Sequence, residues 1–312
     1  MWKVFIQCLS IFILCTGCRG KRTALPDDHP YIIILGIAQD AGYPQAGCEK
    51  ECCKAYWSGK ETRKQVASLG LVIPSSHQLY LFDATPDFTR QWETLQTASL
   101  TRKSQPDGLF LTHAHIGHYT GLMMLGREAM SAKGVPVYAM PGMKTFLENN
   151  GPWDLLVQLQ NIQITTLENQ QPIALAGKIT VTPIRVPHRD EYSETVGYRI
   201  CSSSGAILYI PDIDKWQLWD QDIIQMIREN DQLIVDGTFL QNGEIERDMR
   251  EVPHPFVRES IALFDSLTPQ EKNKVIFIHF NHTNPLIRDG KESMDIEQKG
   301  YRLAREGMKI PL

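Results

Sequence analysis

Six apolar, strand-like runs in this chain end on a residue that can bind a metal or move a proton. LYLF runs into Asp83, GLFLT into His113, ITVTPIRVP into His188, ILYIP into Asp212, LIV into Asp236 and KVIFI into His279. Strand ends open into loops, where a rigid sheet can aim side chains at a common point. Six such endings spread over the chain therefore mark side chains that a sheet could aim at one point.

The densest cluster is THAHIGHYTGL, where His113, His115 and His118 fall within six residues. In an extended segment His113 and His115 point to the same side, because side chains alternate. His118, at the start of the next segment, approaches from another direction. Neutral imidazole suits zinc, iron or manganese. A lone histidine at a strand end is usually a hydrogen-bonded structural residue. Three in this pattern predict a metal site, with His188 and His279 as further ligands by position. His77 and His254 have no place in it and read as surface or core residues.

The rest of the pattern alternates strands and helices, which predicts a mixed α/β layer fold. YIIILG, SLGLVIP, QLYLFDA, GLFLT, VPVYAM, IQITTL, KITVTPIRV, TVGYRI, AILYIPD, QLIVD and NKVIFIHF read as strands. TPDFTRQWETLQ reads as a helix with Thr85 as N-cap and Pro86 at its first position. HYTGLMMLGREAM has helical apolar spacing; PGMKTFLENN reads as a short helix, DKWQLWDQDIIQMIREN as one or two helices, and HPFVRESIALFDSL and the tail from about Asp295 as helical. The order strands–helix–strands occurs once in each half.

The chain begins MWKVFIQCLSIFILCTGCRGKR. A lysine, a short apolar run, small residues and a basic patch have the layout of a secretory signal. LCTGC resembles a bacterial lipobox that would be acylated at Cys18. Residues 1–18 are thus expected to be a leader, 19–30 a tether and 31–312 a single domain. The expected location is exported, lipid-anchored to a bacterial membrane. Net charge is −4 over 312 residues, with no basic stripe. Nucleic acid is not the expected partner; a small-molecule substrate is. Of seven cysteines, Cys48, Cys52 and Cys53 crowd into six residues. That spacing suits a metal knuckle better than a disulfide framework. Free thiols, or a disulfide to Cys201, are the alternatives.

THAHIGHYTGL resembles the HxHxDH motif of the metallo-β-lactamase-fold hydrolases. LYLFDATPDF, VPHRDE, LYIPDID, LIVDGTF and FIHFNHTNPL, in that order, resemble the pyrroloquinoline quinone biosynthesis protein B family within that superfamily. The resemblance covers about residues 31–290. It implies an α/β, four-layer αββα sandwich. It also implies a first metal site of His113, His115 and His188, and a second of His118 and His279, bridged by Asp212. Asp83 would orient the ligand loop, and Asp236 would stand behind the ligands or on the substrate side. Asp212 or His279 would handle protons. The expected metal is zinc, one or two ions, with iron or manganese as options. A structural zinc would sit on Cys48, Cys52, Cys53 and His282, although adjacent Cys52 and Cys53 tend to diverge, so one of them need not ligate. The chain departs from the motif at Gly117, where the family's acid belongs. That leaves a second ion held by His118, Asp212 and His279 alone, a one-metal centre, or a site repurposed away from hydrolysis.

These readings predict a metal-dependent hydrolase, with metal-bound hydroxide attacking an ester or phosphodiester. The alternatives are an oxidative or carrier role related to pyrroloquinoline quinone biosynthesis, and a non-enzymatic metal- or ligand-binding lipoprotein. Members of that biosynthetic family often depart from the HxHxDH histidines, whereas this chain keeps all three. Tyr43, Tyr119, Trp153 and Tyr192 are aromatic residues near the expected pocket, with bulk packing as their default reading.

Overall fold

The computed structural model describes residues 29–312; the leader, Cys18 and most of the tether lie outside the described residues. Two seven-stranded sheets pack face to face. The first takes β1 (Tyr31–Gly36), β2 (Ser68–Ile73), β3 (Gln78–Phe82), β4 (Gly108–Phe110), β5 (Val135–Ala139) and β6 (Ile162–Thr166) in spatial order. The second runs from β7 (Ile173–Ala174) through β8 (Thr180–Arg185), β9 (Val196–Cys201), β10 (Ala206–Ile210), β11 (Gln232–Asp236) and β12 (Val275–Ile278) to β13 (Arg302–Leu303). The last strand, β14 (Lys309–Pro311), returns to the first sheet and pairs antiparallel with β1. Each half of the chain thus builds one sheet, and the C-terminus ties them.

The strand YIIILG shows why both faces are covered. Alternate residues of a strand face opposite sides. Ile32 and Ile34 enter the core between the sheets. Tyr31, Ile33 and Leu35 face a second cluster with Phe88, Trp92 and Leu95 of α2 (Phe88–Ser99), after α1 (Glu51–Trp57) has begun the helix series. That outer layer also takes in α3 (Ile116–Tyr119), α4 (Pro141–Asn149) and α5 (Trp153–Gln158). On the far side, α6 (Ile223–Glu229), α7 (Val257–Leu263), α8 (Pro269–Lys272) and α9 (Lys291–Gln298) complete the series. Ile227, Val257 and Ile296 from three of them join the larger core. The layers are therefore αββα, as expected. Between the sheets, Phe110 stacks on Tyr138 at 4.3 Å and on Phe82 at 5.2 Å, centroid to centroid. Burying one such ring is worth about 1.5–3 kcal/mol.

Three expectations need correction. Helix α2 starts at Phe88 with Asp87 as its N-cap residue, not at Thr85–Pro86. Thr85 is buried ahead of it, where its hydroxyl accepts from the Asp87 N–H at 3.0 Å and donates to Gln91 at 2.7 Å. HYTGLMMLGREAM is not one helix: α3 is a single turn, and Thr120–Leu125 is 3₁₀. Gly121 lies against backbone there, since a Cβ on it would stand 2.1 Å from the Thr85 carbonyl oxygen. The tail is helical only to Gln298 and then forms β13 and β14, because β1 and β12 each leave an edge to pair.

Candidate metal centre

The strand-end residues converge. Asp83 follows β3, His113 follows β4, His188 follows β8, Asp212 follows β10, Asp236 ends β11 and His279 follows β12. All but the more peripheral Asp83 and Asp236 contribute to two sets of ligand atoms. His113, His115, His188 and Asp212 form one set; Asp40, His118, Asp212 and His279 form the other. Within each set the atoms lie within 4.8 Å of one another. Asp212 belongs to both.

Four histidines are held by Nδ1, which frees Nε2. His118 Nδ1 lies 2.7 Å from Asp83 Oδ2, and His188 Nδ1 lies 2.9 Å from Asp214 Oδ1. His113 Nδ1 lies 2.9 Å from the Thr112 hydroxyl, and His279 Nδ1 lies 2.9 Å from the Thr238 hydroxyl. A partner on one ring nitrogen fixes the tautomer and leaves the other's lone pair for a metal. The Nε2 atoms of His113, His188 and His279, and Oδ1 of Asp212, are buried with no hydrogen-bond partner. Buried polar atoms rarely go unsatisfied. His113 Nε2 lies 3.4 Å and His188 Nε2 3.3 Å from Asp212, and His279 Nε2 lies 3.5 Å from Asp40. This donor set, nitrogen and carboxylate oxygen facing one space, fits a divalent metal such as zinc.

Asp83 and Asp236 each hold a threonine beside the ligands. Asp83 accepts from the Thr112 N–H at 2.8 Å and from its hydroxyl at 2.9 Å. Asp236 accepts from the Thr238 N–H at 2.8 Å and hydroxyl at 2.7 Å. Asp83 and His279 sit at φ of 66° and 67°, a left-handed conformation that costs a non-glycine residue about 1–3 kcal/mol.

The charges interlock. Burial pushes the Asp212 carboxyl up, but His188, His254 and His279 hold it well below the usual carboxylate range. Burial, then the neighbouring His118, press His113 well below the ordinary imidazole range. His118 is buried too, yet Asp83 and Asp40 raise it well above that range. Burial opposes charge on His188, but Asp212 and Asp214 bring it up to about 9.

Two residues of the centre escaped the sequence. Asp40 lies in the loop after β1, not at a strand end, and places Oδ1 3.0 Å from His118 Nε2 and 3.5 Å from His279 Nε2. His254 is neither a surface nor an ordinary core residue. Its Nδ1 lies 2.8 Å from Asp236 Oδ2 and 3.1 Å from Asp212 Oδ1, in a third group with those acids. Neither directly ends an apolar run, so the strand-end rule could not find them. His77, by contrast, is exposed.

The cysteine cluster also closes. Cys48, Cys52, Cys53 and His282 bring their ligand atoms within 4.8 Å of one another. Cys52 and Cys53 both reach the group because they sit on the first turn of α1. Neighbours on a helix diverge by about 100°, less than on a strand. Cys201 lies on β9 as a free thiol, and Cys48, Cys52 and Cys53 are free as well. A cavity of about 890 Å³ joins the two regions, lined by Lys50, Arg189, Arg247, His254 and His282 among others. Tyr119, Trp153, Phe146 and Tyr192 pack in a chain with centroids 5.0–5.9 Å apart; only Tyr192 of the four is largely exposed. Tyr43 is fully buried and is a packing residue.

A family model described as a beta-lactamase superfamily domain matches residues 79–280. Coenzyme PQQ synthesis protein B of Methylorubrum extorquens (strain PA1) is 26% identical over 306 residues, spanning 90% of this chain and 100% of that protein. The crystal structure of Zn(2+)-bound PqqB from Methylobacterium extorquens aligns with a TM-score of 0.76 at 22% identity, over 90% of this chain and 100% of that one. A diphosphatase from the PhnP family aligns with a TM-score of 0.63 at 22% identity, over 91% and 97%. At these identities the structural likeness speaks for the fold.

Proposed function

The chain belongs to the beta-lactamase superfamily, and from that premise we propose that it is a metal-dependent hydrolase of an ester or phosphodiester. The observation that carries the reading is Asp212, shared by two adjoining ligand sets in which the buried Nε2 atoms of His113, His188 and His279 have no hydrogen-bond partner. The first set, with His113, His115 and His188, and the second, with His118 and His279, would each hold an ion. A bound zinc ion lowers the pKa of its water to roughly 7 and polarises the bond to be cleaved.

This chain's own residues would do the rest. Asp212, a member of both ligand sets, would hold both ions. His279 has its Nδ1 on Thr238 and its Nε2 in the second set, so it has no nitrogen left for the substrate. His254 takes the proton-donating role instead, because Asp236 holds its Nδ1 and its ring lines the cavity. Arg189 and Arg247 line the same cavity, and guanidinium groups bind phosphate well. They favour a phosphodiester over a carboxylic ester.

The test is hydrolysis of bis(p-nitrophenyl) phosphate and p-nitrophenyl acetate by metal-stripped and zinc- or manganese-reloaded protein. Turnover that appears with metal and is lost in Asp212→Ala supports the reading. A fully loaded protein that turns over neither probe contradicts it.

A second reading rests on the similarity to coenzyme PQQ synthesis protein B. A role in making a quinone cofactor would be favoured by selective iron uptake together with absence of hydrolysis.

A further inference from the structure

Gly117 stands where the superfamily motif carries an acid, and its backbone does not need a glycine: its φ is not in the left-handed region. What requires glycine is space. A Cβ on Gly117 would stand 2.5 Å from Asp40 Cα, 2.6 Å from Asp40 Oδ1 and 2.8 Å from Asp40 Cβ. Real Cβ atoms do not approach other atoms so closely. The volume that a side chain at 117 would fill is filled by Asp40.

Asp40 is also placed to do the missing acid's work. Its Oδ1 faces the Nε2 atoms of His118 and His279 and completes the second set with Asp212. The carboxylate is mostly buried, with 20% of the side chain exposed. The loop that carries it is fixed on both sides. The Ala38 N–H donates to the Gln65 carbonyl at 2.9 Å, the Gln39 N–H to the Phe280 carbonyl at 2.9 Å, and the Gly42 N–H to the Gln39 carbonyl at 2.7 Å. Gln39 further pairs with Asn281, next but one to His279.

We infer that the second metal subsite is intact in this chain, with its acid supplied by Asp40 from the loop after β1 in exchange for the side chain lost at Gly117. The inference rests on the metal reading above and deepens it. The two positions are one device: the acid moved to another segment, and glycine makes room for it. A side chain at 117 and an aspartate at 40 exclude each other, so restoring the motif by Gly117→Asp alone would damage the subsite rather than repair it.

The test is metal binding, independent of turnover. Protein stripped of metal is titrated with Co²⁺ and Zn²⁺ by calorimetry and by cobalt absorption, in wild type, Asp40→Ala, Asp40→Asn, Gly117→Ala and Gly117→Asp. Wild type is expected to take two ions at the histidine centre. Both Asp40 variants are expected to keep the first ion and bind the second at least about tenfold more weakly. Gly117→Ala and Gly117→Asp should weaken the same ion, because each displaces Asp40. Metal retained by the cysteine cluster, with an unchanged circular dichroism spectrum, shows that a variant is folded; Asp40→Asn keeps the shape if Asp40→Ala does not fold. A wild type with two ions whose second is held within twofold by folded Asp40→Asn overturns the inference alone. A wild type with a single ion at the centre also overturns it. A wild type that takes no ion there overturns the metal reading and the inference together.

Discussion

At His254 two carboxylates face one nitrogen: Nδ1 lies 2.8 Å from Asp236 and 3.1 Å from Asp212. Burial opposes a charge on this ring, but Asp236 and Asp212 raise it well above the ordinary imidazole range. Proton donation by a placed side chain contributes about 10²–10⁴-fold to rate. His254→Ala is therefore expected to lower kcat by that order while metal content stays at the wild-type value. The loss should be larger for a substrate with a poor leaving group than for a p-nitrophenyl ester, since only the former needs the proton. Equal losses for both would assign His254 a purely structural role. Nothing near His254 in the sequence signals this, because PHPFV reads as the entry to a helix. Asp83, His113 and His279 were legible because each ends an apolar run. Asp40 and His254 were not, because what defines them is a partner distant in the chain.

The element that joins most of the site is the segment from β1 to α1. It carries Asp40 at one end and Cys48, Cys52 and Cys53 at the other, and it meets the strand-end segment 279–284 twice. Gln39 bonds to Phe280 and Asn281 near the centre, and His282 enters the cysteine group. A zinc on that group would pin both segments that feed the second subsite. Cys48→Ser should therefore lose one zinc and lower the melting temperature. It should also weaken the second ion at the histidine centre more than the first, as read by calorimetric titration. Equal weakening of both ions would mean that the cluster stabilises the fold without positioning Asp40. Local pattern served well for strands, because burial on both faces makes runs such as YIIILG and VIFI. It failed for HYTGLMMLGREAM, whose apolar spacing is helical but whose Gly121 is pressed against the Thr85 carbonyl, leaving a short turn and a 3₁₀ segment.

Across the whole molecule, the two halves repeat one arrangement. In the first, Asp83 accepts from the Thr112 hydroxyl, which meets His113 Nδ1. In the second, Asp236 accepts from the Thr238 hydroxyl, which meets His279 Nδ1. Each sheet thus presents an acid–threonine–histidine relay at the same edge of the sandwich, with Asp212 between them. The alternation of strands and helices in each half foretold a mixed α/β fold, and the αββα layering followed only from the family resemblance. It could not foretell that β14 would cross back to β1, since a three-residue strand has no pattern of its own. The central claim is that this edge holds two ions and the cysteine group a third. Anomalous difference maps collected at the zinc edge from crystals of zinc-loaded protein test it most directly. Three peaks are expected: one among His113, His115, His188 and Asp212, one among Asp40, His118, Asp212 and His279, and one at Cys48, Cys52, Cys53 and His282. A map with no peak at the histidines would contradict the claim.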